Sequence, residues 1–147
     1  MLVSHQDLMA FLLNSTMRWL LLILLCSNAM LAQDIAKYQW KNRVIIVFGN
    51  GDNDPRVNEQ IQALKSYSNE ISEREIIILL PQNSGERMGL MKRLDLNQDF
   101  TGLILIGKDG SIKLQEDLIV EPLTLFSLID TMPMRRAEIR KKSKKTG

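Results

Sequence analysis

Val44-Ile45-Ile46-Val47-Phe48, closed by Gly49-Asn50-Gly51-Asp52-Asn53-Asp54-Pro55, is the stretch on which the fold turns. An unbroken β-branched and aromatic run, stopped by a cluster of turn formers, reads as a strand buried on both faces. Asp54 then suits a helix N-cap, and Pro55 suits the first helical position, where its missing N–H is not needed. Val57, Ile61, Leu64 and Ile71 recur at helical spacing, leaving Arg56, Glu59 and Lys65 for solvent. A second apolar run, Ile76-Ile77-Ile78-Leu79-Leu80, ends at Pro81 and reads as another strand buried on both faces. Strand, helix and strand in this order form a βαβ unit with parallel strands and a right-handed crossover.

The pattern changes downstream. Asn83 followed by Glu86 resembles a capping box and opens a short helix through Met88, Met91 and Leu94. Leu103-Ile104-Leu105-Ile106 is a third apolar strand, and Gly107-Lys108-Asp109-Gly110 carries the Asp-Gly signal of a hairpin turn. Ser111-Ile112-Lys113-Leu114 alternates as an edge strand should. Pro122 opens a last core helix with Leu125, Phe126, Leu128 and Ile129 inward. The order β-α-β-α-β-β-α predicts an α/β fold of thioredoxin-like type, a central four-stranded mixed sheet with helices on both faces.

Upstream of that domain the composition differs. No charged side chain occurs between Trp19 and Gln33, Arg18 stands just before the apolar run, and Ser27, Ala29 and Ala32 supply small residues at its exit. These are the parts of a secretory signal, with cleavage after Ala32 favoured over cleavage after Ala29. The residues before Met17 contain no Lys or Arg, which points to Met17 as an alternative start. The competing reading is an uncleaved anchor over residues 8–32, but Arg18 would sit near its middle, at a cost of about 2.5–3.5 kcal/mol. Cys26 follows Leu25, where a lipid-attachment signal would need a small residue. The expected organisation is a signal over residues 1–32, a domain over 33–134 and a basic tail over 135–147. The expected location is the periplasm or the extracellular space.

Charge divides the same way. The whole chain carries +2, yet residues 133–147 alone hold seven Lys and Arg against Glu138. The preceding hundred residues are net acidic, so an acidic body precedes a basic end.

Three tracts carry a resemblance. They are Trp40-Lys41-Asn42-Arg43, Ile106-Gly107-Lys108-Asp109-Gly110-Ser111-Ile112-Lys113-Leu114 and Ile129-Asp130-Thr131-Met132-Pro133-Met134-Arg135-Arg136. Together they resemble the family called domain of unknown function 4174, or P-DUDES, over roughly Tyr38 to Arg140. The resemblance implies a thioredoxin-like fold related to peroxiredoxins. It also implies export, since the family occurs in exported bacterial proteins and in vertebrate matrix proteins with sushi repeats. It implies no catalytic residue.

The residues themselves exclude much chemistry. His5 and Cys26 are the only His and Cys, and both precede the domain. A redox protein of this fold places a low-pKa Cys after the first strand. Here that loop holds Asp52, Asn53 and Asp54. Asp99-Phe100-Thr101-Gly102 before the third strand also lacks the usual proline. Ser-His-Asp and Cys-His schemes lack their base, and a zinc site lacks its imidazole or thiolate. Asn50, Asp52 and Asp54 superficially resemble a calcium loop, but Pro55 and Ile61 stand where Gly and Glu are needed. Asp52-x-Asp54 after a strand also faintly resembles a haloacid-type phosphoryl-transfer site, but the first Asp is not at the strand end. No metal or cofactor site is expected.

The expected role is a monomeric, non-catalytic binding module; a peroxiredoxin-related oxidoreductase is the alternative. Arg135, Arg136, Arg140, Lys141 and Lys142 are the binding candidates, for anionic polysaccharide, a membrane surface or an acidic protein. Nucleic acid is disfavoured by export. The competing structural roles are solvation, complementing a helix C-terminus, and, for Arg135 and Arg136, salt bridges to the acidic body.

Overall fold

The computed structural model describes residues 35–51 and 53–146. The signal expected over residues 1–32, and Asp52, lie outside the described residues.

Strand β1 (Arg43–Phe48) is buried along its whole length. Val44, Ile46 and Phe48 enter one apolar cluster, while Ile45 and Val47 enter another. Side chains alternate across a strand, so an uninterrupted apolar run needs cover on both faces. The cover comes from α1 (Pro55–Lys65) and α4 (Pro122–Thr131) on one side and α3 (Ser84–Arg93) on the other. Strands β2 (Ile76–Leu79), β3 (Gly102–Ile106) and β4 (Ile112–Glu116) complete a sheet of order β2-β1-β3-β4. β1 and β2 are parallel; β3 is antiparallel to both β1 and β4. This is the thioredoxin-like arrangement.

Local chemistry sets the boundaries. The Asp54 carboxylate accepts from the Arg56 N–H at 3.0 Å, and Pro55 occupies the first turn of α1. Asn83 Oδ1 accepts from the Glu86 N–H at 2.9 Å, and the Glu86 carboxylate reaches back to the Gln82 N–H at 2.8 Å. The reciprocal bond thus lies one residue before the N-cap. Gly110 turns the β3–β4 connection with φ +84°, a left-handed conformation that glycine adopts freely.

Four expectations change. β2 is an edge strand, so only Ile76 is fully buried and Ile77, Ile78 and Leu79 are half-covered. Composition could not show this, because sheet order depends on distant pairing. Ile71 does not extend α1: the chain turns at Tyr67 and a separate α2 (Ser68–Glu73) follows. Met88 is exposed, and Leu90 takes the core position beside Met91. Finally, residues 133–146 form α5 (Pro133–Thr146), so the boundary drawn between residues 134 and 135 falls inside a helix. Pro133 forces Met132 into an extended conformation, with ψ 139°, and separates α4 from α5.

Candidate functional site

The N-terminal end of β1 begins with a charged residue. Arg43 is only 1% exposed. Its Nη1 donates to the Arg74 carbonyl at 2.7 Å, and its Nη2 donates to Glu138 at 3.2 Å. Glu138 also lies 2.7 Å from Lys108, which pairs in turn with Glu75. Beside this group, Arg135 donates from Nε to Asp130 at 3.0 Å and from Nη2 to Glu73 at 3.0 Å. Arg74 closes the ring with bonds of 3.1 and 2.6 Å to the same Asp130. Four cations (Arg43, Arg74, Lys108, Arg135) meet four carboxylates (Glu73, Glu75, Asp130, Glu138).

The topology explains this meeting. β1 and β2 both start at this end, β3 finishes here, and α4 delivers Asp130 and the turn into α5. Lys108 sits in the hairpin with Asp109 and Gly110. The Asp109 carboxylate accepts from Ser111 and pairs with Lys113 at 2.7 Å. The Trp40 N–H donates to the Lys108 carbonyl at 2.7 Å, fastening the chain before β1 to the hairpin. All three tracts that carry the family resemblance therefore converge on one end of the sheet.

The electrostatics follow from pairing. Burial pushes the Glu138 carboxyl up, but the bonds and charges of Lys108 and Arg43 outweigh it, so its pKa lies below the ordinary value. Burial likewise opposes ionisation of Asp130, and Arg74 and Arg135 overcome it. The Arg135 hydrogen bond lowers Glu73, against a smaller effect of burial. Burial disfavours the Lys108 ammonium, yet Glu138 and Glu75 raise its pKa above the usual lysine value. These shifts all favour the charged forms of Glu73, Asp130, Glu138 and Lys108.

The expected binding candidates are sorted by α5. Arg135 is buried and committed to Asp130 and Glu73. Lys142 is exposed, with its Nζ 3.7 Å from Glu73. At about 100° per residue, residues 135, 138 and 142 share the face toward the body. Arg136, Arg140 and Lys144 follow one another on the opposite face, with Lys141 beside them. All four are exposed, and among the described residues none has an ion-pair partner. Lys144 and Lys145 also lie in the last turn, where cations complement the helix dipole.

At the other end of the sheet lies the loop where a redox protein of this fold would carry its thiol. A cleft of about 340 Å³ is lined there by Gly49, Asp54, Asn58, Pro81, Asn83 and Arg87, among others. Asp54 is fully engaged. Its carboxylate binds Arg56 Nη2 at 2.7 Å and the Asn50 N–H at 2.8 Å. The Arg56 bond, then the Asn50 bond, hold its pKa far below the carboxylate range. Asn53 is exposed. Arg87 donates to the Gly49 carbonyl and, at 2.8 Å, to that of Phe100. A Cβ on Gly49 would lie 2.6 Å from Val57 Cγ2, so the chain passes too close to α1 for a larger residue. Among the described residues, no group of three His, Cys, Asp or Glu side chains is placed to hold a metal ion.

Arg43, Lys108 and Gln60 escaped the sequence reading. Gln60 is fully buried and exchanges two bonds with Val120, at 2.9 and 2.6 Å, pinning the chain before α4 to α1. A charged residue opening a run of five apolar ones was the available signal for Arg43. Nothing local marks Gln60.

No solved structure matches the chain. A family model matches residues 34–138, ending at the residue that joins Arg43 to Lys108. The chain belongs to the family described as domain of unknown function (DUF4174).

Proposed function

We propose that this protein is an exported, non-catalytic binding module that docks an anionic polysaccharide on the outer face of α5. The observation that carries the reading is the sorting of cations on that helix. Those facing the body are neutralised by its carboxylates. Arg136, Arg140, Lys141 and Lys144 project from the far side and form a stripe along the helix. Successive members four residues apart are separated by about 6 Å of helix rise, a spacing that suits a linear polyanion. A lipid surface fits less well. Apart from Pro133, only Met134, Ala137 and Ile139 are apolar in α5, too few for an inserting face. Export rests on Arg18 and the apolar run after it, and favours polysaccharide over nucleic acid.

An oxidoreductase of peroxiredoxin descent is the rival. The thiolate is the reactive species in that chemistry, and residues 34–147 contain no Cys. The intact mass of the exported protein tests whether Cys26 is removed with the leader. Peroxide turnover by that protein above a buffer control would overturn the non-catalytic reading.

The binding test uses the full chain, because removing α5 would strip Glu138 from buried Arg43. Affinity for heparin, a sulfated polysaccharide, is measured by calorimetry across a salt series. Counterion release predicts a linear fall of log K with log salt. The variant Arg136→Glu/Arg140→Glu/Lys144→Glu should lose at least tenfold in affinity while keeping its unfolding midpoint. Unchanged affinity, or tighter binding to vesicles rich in phosphatidylserine than to heparin, would overturn the proposal.

A further inference from the structure

A second cavity, of about 430 Å³, opens beside the buried charges. Arg43, Lys108, Lys113, Thr131 and the Lys113-paired Asp109 line its polar side, and Leu128, Met132, Pro133 and Met134 its apolar side. Its volume falls within the range of small-molecule sites, about 300–1,000 Å³. It lies on a different surface from the outer stripe of α5.

Hydrogen-bond accounting gives this cavity a chemical preference. Arg43 Nε is buried and has no hydrogen-bond partner among the described residues, although both Nη atoms are engaged. An ammonium carries three donors. Lys108 directs one to Glu75 and one to Glu138, which leaves a third. Lys113 directs one to Asp109, which leaves two. Of the acceptors, the Asp109 carboxylate already receives Ser111 and Lys113, while the Thr131 hydroxyl donates to the Leu128 carbonyl at 2.6 Å and keeps its lone pairs. The unspent donors sit on three side chains, Arg43, Lys108 and Lys113, and all three are cations. A ligand without acceptors would leave the buried Arg43 Nε–H unpaired, which is costly. A carboxylate brings only acceptors. Across from it, two methionines, a leucine and a proline offer an adaptable apolar wall.

We infer that this cavity is a binding site for a small organic carboxylate with an apolar body. The head meets Arg43 Nε–H and the free protons of Lys108 and Lys113. The body lies along Leu128, Met132, Pro133 and Met134. The site does not depend on the polysaccharide reading, since it shares no residue with the α5 stripe.

The test titrates the full chain with octanoate, 1-octanol and acetate, followed by ¹H–¹⁵N chemical shifts. Octanoate should saturate, with the largest shifts at Gly107–Lys113 and Thr131–Met134. Octanol, which lacks the charge, and acetate, which lacks the apolar body, should each bind at least tenfold more weakly. Lys113→Glu, at a partly exposed hairpin position, should keep the fold and lose at least fivefold in octanoate affinity. Leu128→Trp should block the cavity and abolish saturation. Because that variant could misfold, its unfolding midpoint is measured alongside, and Lys113→Glu carries the decision if it has moved. Octanoate binding no tighter than octanol or acetate, shifts confined to another surface, or full affinity in Lys113→Glu would each overturn the inference.

Discussion

Each end of the central sheet has an arginine that holds the chain in place, and the two are satisfied in different ways. At the loop end, Arg87 donates to two backbone carbonyls, those of Gly49 and Phe100. The neighbouring Asp54 carboxylate bonds to Asn50 and Arg56, four and two residues away. At the opposite end, Arg43 meets Glu138, ninety-five residues later in the chain. At the first end Arg87 reaches backbone carbonyls 38 and 13 residues away, and the Asp54 carboxylate serves its own turn. The second binds four distant segments into one charged cluster. The loop end occupies the place where this fold elsewhere hosts thiol chemistry, yet its polar groups serve the backbone. The concentration of charge has moved to the far end, where α5 is attached.

The largest effect that would break this contrast comes from Glu138→Ala. It leaves Arg43 and Lys108 short of a shared partner in a buried setting, and should destabilise the fold by about 3 kcal/mol in urea unfolding. A loss below about 1 kcal/mol would show that the cluster contributes little beyond a surface pair. Acidification attacks the same cluster less completely. Glu73, Asp130 and Glu138 all have lowered folded pKa values. Their contribution is therefore full above the unfolded carboxylate range and is lost as pH falls through the folded values. Urea midpoints should hold from pH 7 to about 5 and decline below about pH 4. Glu138→Gln should flatten that decline.

At the loop end, Arg87→Met removes two charge-assisted bonds and should cost about 2 kcal/mol. Amide hydrogen exchange should quicken at Gly49–Asn50 and leave Arg43 unaffected. Asp54→Ala should cost about 1 kcal/mol, the usual loss for a helix cap. The smallest effect sharpens the comparison from outside. Reversing Arg136, Arg140 and Lys144 should shift stability by no more than about 0.5 kcal/mol, because these exposed groups have no ion-pair partner among the described residues. A larger loss would mean that the outer face of α5 also holds the fold.

Much of the architecture was legible because its causes are local. The unbroken apolar runs at Val44–Phe48 and Leu103–Ile106, bounded by turn formers, reveal strands covered on both faces. Asp54-Pro55 and Asn83-x-x-Glu86 reveal helix starts through bonds that span three residues or fewer. Asp109-Gly110 reveals a turn through backbone sterics. The lack of Cys and His after residue 26 removes thiol and imidazole chemistry from the domain by composition alone.

What only the tertiary structure decided depends on long-range pairing. Ile76–Leu79 and Val44–Phe48 look alike as sequence, but one is an edge strand and the other is central, because β1 pairs with both β2 and β3 whereas β2 pairs with β1 alone. Arg135 and Arg136 are adjacent and chemically identical. One is buried against Asp130 and Glu73 and the other is exposed, since a single helical step of about 100° turns it from the body to solvent. A basic tail in the sequence becomes a helix with a neutralised inner face and a charged outer one. Charge has no periodic signature comparable to hydrophobicity, and an ion pair depends on where topology brings two segments together. Composition and local pattern therefore determined the elements and the excluded chemistry, while the fold alone decided which charges were paired and which were left exposed.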